Sequence, residues 1–128
     1  MVESKDKLYI GGEWVAPSSS STIEVISPVT EEVIATVPEA AEADVDKAVE
    51  AAKAALAGPY PQLSPEERAD TLTKLSQAIG ARAMDFAQII TTEMGSPSSF
   101  SLMGQVFSAT MIIDGFANVT RTFPFEEP

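Results

Sequence analysis

At 128 residues, 45% of them hydrophobic and 21% charged, the chain has the length and apolar content of one domain that buries about two thirds of its unfolded surface. The 19 acidic against 8 basic side chains leave a formal charge of −11, which opposes attraction to phosphate backbones and anionic lipid, so neither nucleic acid nor membrane is an expected partner. The chain has no cysteine and no histidine; it therefore lacks a disulfide framework, a thiolate nucleophile and the commonest general base and metal ligand, and it is not expected to catalyse by itself.

Residues 1–20, MVESKDKLYIGGEWVAPSSS, lack the basic start and continuous apolar stretch of a secretory signal, and a cytoplasmic location is the expectation. Lys7-Leu8-Tyr9-Ile10 and Glu13-Trp14-Val15 read as short strands joined by Gly11-Gly12, a pair suited to the positive φ angles of a two-residue hairpin turn. The serine run 18–21 reads as a solvated connector, and no chemistry is assigned to it. Thr22–Ile26 and Glu32–Val37 follow as two further strands around the turn Ser27-Pro28-Val29-Thr30-Glu31.

From Glu42 the period changes. Val45, Ala48, Val49, Ala52 and Leu56 share one helical face, Glu42, Asp44 and Asp46 favour the positive amino-terminal end, and Gly58-Pro59 ends the run. A second helix starts at Ser64-Pro65-Glu66-Glu67, where Ser64 caps, Pro65 suits the first turn and Glu67 completes a capping box. Its apolar face runs through Leu72, Leu75, Ile79, Phe86 and Ile90, with Gly80 offering a kink, until Gly95 supplies a left-handed cap and Pro97 prevents continuation.

The third helix, from about Ser99 to Val119, lies for most of its length in a stretch that carries no charge, from Met94 to Ile113. Phe100, Met103, Phe107 and Met111 form one stripe, and Leu102, Val106, Ala109, Ile113 and Phe116 another, so the helix must be surrounded. Gly95, Pro97, Gly104, Gln105 and the serines interrupt the roughly 20 apolar residues that a membrane span needs, and burial within protein is expected instead. Two helices and a small sheet cover only one or two of its sides, which implies that this polypeptide is part of something larger.

LYIGGEWV, then EVISPVTEEVIATVPEAAEADVDKAVEAAKAAL, then GPYPQLSPEERADTLTKLSQAIGAR, then TTEMGSP and IIDGFANV resemble, in that order, the amino-terminal part of the NAD(P)-dependent aldehyde dehydrogenase superfamily. The resemblance spans essentially the whole chain. It implies an α/β fold, the amino-terminal portion of a Rossmann-like cofactor-binding domain with about four short antiparallel strands followed by three helices. Residues 1–40 would form the hairpin and small sheet, and residues 41–128 the helical part. It also implies that the full-length enzyme oxidises an aldehyde to a carboxylic acid with NAD or NADP. There a cysteine thiolate attacks the aldehyde, hydride passes to the nicotinamide and a glutamate-activated water hydrolyses the thioester.

That machinery lies further along the family's sequence, so no catalytic residue, no cofactor-binding residue and no bound cofactor is expected in this chain alone. The ending Thr122-Phe123-Pro124-Phe125-Glu126-Glu127-Pro128 resembles the stretch before the family's oligomerisation hairpin, and a chain truncated at a segment boundary is expected. Where the family has Pro-x-Thr-Gly-Glu, this chain has Pro28-Val29-Thr30-Glu31-Glu32; a left-handed Glu31 would cost about 1–2 kcal/mol, and a locally different turn is expected. Glu93 matches the family's acidic position before Gly95, which in some members helps to hold a monovalent cation with main-chain carbonyls near the counterpart of Ile26. Ser101 and Gln105 correspond to a segment that lines the aldehyde entrance. The expected partners are the aldehyde and the remainder of the enzyme. The alternative is a non-catalytic interaction module that docks on full-length relatives or self-associates through the third helix.

Overall fold

Gly11 and Gly12 take φ 63° and 90°, the left-handed pair that a tight hairpin turn requires. They join β1 (Leu8–Ile10) to β2 (Glu13–Val15), which pair antiparallel with Leu8 opposite Val15 and Tyr9 opposite Trp14. β3 (Thr22–Ile26) and β4 (Val33–Pro38) form a second antiparallel pair with Thr22 opposite Pro38 and a bulge between Val25 and Ile26. The strands thus make two separate two-stranded sheets, not one. The structure, a computed structural model, describes residues 2–125, and the expected boundary at residues 126–128 lies outside them.

The turn between β3 and β4 keeps the left-handed geometry with Glu31 in it, at φ 60°. This corrects the expectation of a locally different turn. The Glu31 amide donates to the Ser27 carbonyl at 2.9 Å, the Ser27 amide to the Glu32 carbonyl at 2.9 Å, and the Ser27 hydroxyl accepts from the Val29 and Thr30 amides at 3.3 and 3.2 Å. With its main-chain groups so fully paired the turn holds its shape, and the side chain bears the steric cost.

Among the described residues four longer helices follow, one more than the sequence predicts: α1 (Glu42–Ala55), α2 (Pro65–Ala81), α3 (Ala83–Met94) and α4 (Ser98–Thr122). The additional helix arises because the second one breaks at Arg82, φ −115° and ψ 22°, two residues after Gly80. The Arg82 amide reaches back to the Ile79 carbonyl at 3.0 Å while its own carbonyl accepts from the Phe86 amide at 3.1 Å, so one residue closes α2 and opens α3. Its guanidinium stays at the junction, 3.4 Å from the Asp85 carboxylate and 5.5 Å from the centre of the Phe86 ring.

The chain divides into two compact units, residues 1–61 with 92–95, and residues 62–91 with 96–128. In the first, β1 lies beside α1, and a Cβ placed on Gly11 would stand 3.6 Å from that of Ala51. The expected apolar face of α1 is not covered: Val45, Val49 and Leu56 are exposed, and the buried side chain of the helix is Asp44. In the second, α2 packs along α4, with the Ser76 hydroxyl donating to the Thr110 carbonyl at 3.3 Å and Arg121 pairing with Glu66 and Asp70. A small core of Ala83, Ala87 and Val106 is completed by Ile79, Phe86, Ile90 and Leu102.

Candidate functional site

α4 begins with a π-helical turn over Ser101–Val106, a local winding that is rare and often found at functional sites. The wider turn brings residues five apart onto one side, and Ser101 and Val106 are both buried. Eleven residues, or three regular turns, beyond Val106 the buried side of α4 continues with Ala117, while Phe116 is exposed. Ser101 has 0% of its surface exposed and its hydroxyl accepts from that of Thr91 at 2.8 Å. Gln105 is half-buried, and its Nε2 donates to the Ser96 hydroxyl at 2.7 Å. The two predicted entrance residues therefore lie one turn apart, Ser101 tied to α3 through Thr91 and Gln105 to the segment that leads into α4 through Ser96.

Above them Phe100 covers Gly104: a Cβ at 104 would stand 2.5 Å from Cε2 of the ring, so a side chain there would push the exposed ring aside. Phe100, 56% exposed, and Met103, 64% exposed, lead an apolar surface that continues through Phe107 and Met111. By length and composition alone α4 could cross a membrane, with a mean hydropathy of 1.3 over its most apolar window; the interruptions noted in the sequence do not prevent this.

Glu93 is exposed in the last turn of α3, and Ile26 ends β3 at its bulge. The segments that carry them meet, since Gly95 (φ 69°) approaches Pro28 and Val29 so closely that a Cβ there would lie 3.2 Å from both side chains. Among the described residues no three histidine, cysteine, aspartate or glutamate side chains gather as metal ligands.

One cluster escaped the sequence reading. Asp44, 1% exposed, accepts from the Ser18 amide at 2.9 and 3.1 Å, the Ser18 hydroxyl at 2.6 Å and the Ala41 amide at 3.1 Å, while Lys47 approaches at 3.5 Å. The Ser18 bonds foremost, opposed by desolvation, hold its carboxyl down at about 2. Asp44 thereby satisfies the start of α1, where Ala41 offers no side-chain cap, and anchors the serine run that the sequence presents as a free connector.

The aldehyde dehydrogenase family model matches residues 14–127. The chain belongs to that family. A putative aldehyde dehydrogenase of Staphylococcus aureus (strain bovine RF122 / ET3-1) is 48% identical over 95 residues, which make up 74% of this chain and 20% of that one. Among solved structures, an aldehyde dehydrogenase from Bartonella henselae is 34% identical, with a TM-score of 0.91 over 99% of this chain and 26% of its own. A mutant aldehyde dehydrogenase C from Pseudomonas syringae, in complex with NAD+ and octanal, is 39% identical, with a TM-score of 0.92 over 96% of this chain and 25% of its own. This aldehyde dehydrogenase chain thus spans about a fifth to a quarter of the length of the relatives it matches. Among the described residues the strands pair only antiparallel, and the approach to α1, Glu39-Ala40-Ala41-Glu42, is acidic and lacks glycine where a pyrophosphate would need free amides.

Proposed function

We propose that this chain forms the amino-terminal segment of a cytoplasmic NAD- or NADP-dependent aldehyde dehydrogenase, which oxidises an aldehyde to a carboxylic acid, and that the segment does not turn over alone. The observation that carries this reading is the likeness over 96% of the chain to one quarter of an enzyme whose structure contains NAD+ and octanal. A covalent route through a thiohemiacetal needs a thiolate, and the chain has no cysteine. In this reading Gln105 borders the aldehyde entrance, with Ser101 fixed behind it. The exposed carboxylate of Glu93 and the main-chain carbonyl of Ile26 contribute to a monovalent cation site, a donor set of oxygens that suits a hard cation. The apolar surface of α4 then faces the rest of the enzyme, not lipid.

The test is aldehyde-dependent NAD reduction by the purified chain, alone and combined with a relative that lacks the corresponding segment. Turnover only in the combination supports the proposal; turnover by the chain alone, or no rescue at any ratio, overturns it. The exposed apolar residues of α4 favour one second reading, a non-catalytic module that pairs with itself or docks on full-length relatives. That reading predicts a stable complex without any gain in activity.

A further inference from the structure

We draw no further inference here: the strongest candidate, the open hollow between the amino-terminal segment, the serine run and β4, lined by Ser4, Lys5, Ser19, Ser21 and Thr36 among others, carries nothing, because in a chain that spans about a fifth to a quarter of its relatives' length nothing in the structure shows what covers it.

Discussion

The carboxylate of Asp44 is almost fully enclosed and accepts two amides and one hydroxyl. Those donors favour the charged form and hold its pKa near 2, below the usual 3.8. The stabilisation is therefore complete above the unfolded value and is lost as the pH falls from about 4 through 2. Asp44→Asn should lower the thermal midpoint at neutral pH and flatten its decline between pH 4 and 2; parallel acid limbs in the two proteins would refute this. Glu31 presents the opposite case, a residue held where its side chain is disfavoured. Glu31→Gly should raise stability by about 0.5–1 kcal/mol, the relief of left-handed strain less the greater freedom of glycine in the unfolded chain. Denaturant titration checks it, and a loss of stability would show that the Glu31 side chain makes a compensating contact.

At the amino terminus of α2, Glu67 Oε2 accepts from the Ser64 amide and hydroxyl at 2.8 Å each, and the Ser64 hydroxyl accepts from the Glu67 amide at 3.3 Å. The Ser64 amide foremost, then its hydroxyl, holds the Glu67 carboxyl below its usual range. Ser64→Ala should lower stability by about 1 kcal/mol; an unchanged unfolding midpoint would show that the cap carries no weight. This start was legible because a capping box uses residues three apart in sequence. All four strands were legible for the same reason, since alternation and turn residues are local signals. The break at Arg82 was legible only as the kink that Gly80 offers two residues earlier; that it divides the helix in two was not, because this depends on where the helix must turn. The Asp44–Ser18 cluster joins residues 26 apart, a pairing that no periodicity announces. Of the candidate site, the neighbourhood of Ser101 and Gln105 was legible through resemblance to a family; the seat of Phe100 on Gly104 was not.

Across the described residues the buried apolar side chains are five alanines and one valine, while Leu56, Met84, Met103, Met111 and Phe116 stand largely in water. Exposed apolar area at ~25 cal/mol per Å² favours association over the repulsion of acidic chains at physiological salt. The isolated chain should therefore bind a hydrophobic dye and scatter light as a dimer or larger species at tens of micromolar; a dye-silent monomer would overturn this. The division into two units has a separate consequence, for synthesis on the ribosome. The first unit includes Thr92–Gly95 as well as the opening 61 residues, and Gly95 fits tightly against Pro28 and Val29. Translation delivers the hairpin, both sheets and α1 early, yet their last piece emerges only after all of α2 and most of α3. The first unit is thus completed only after the beginning of the second has been made, so the order in which the two units become complete does not simply follow the order of synthesis.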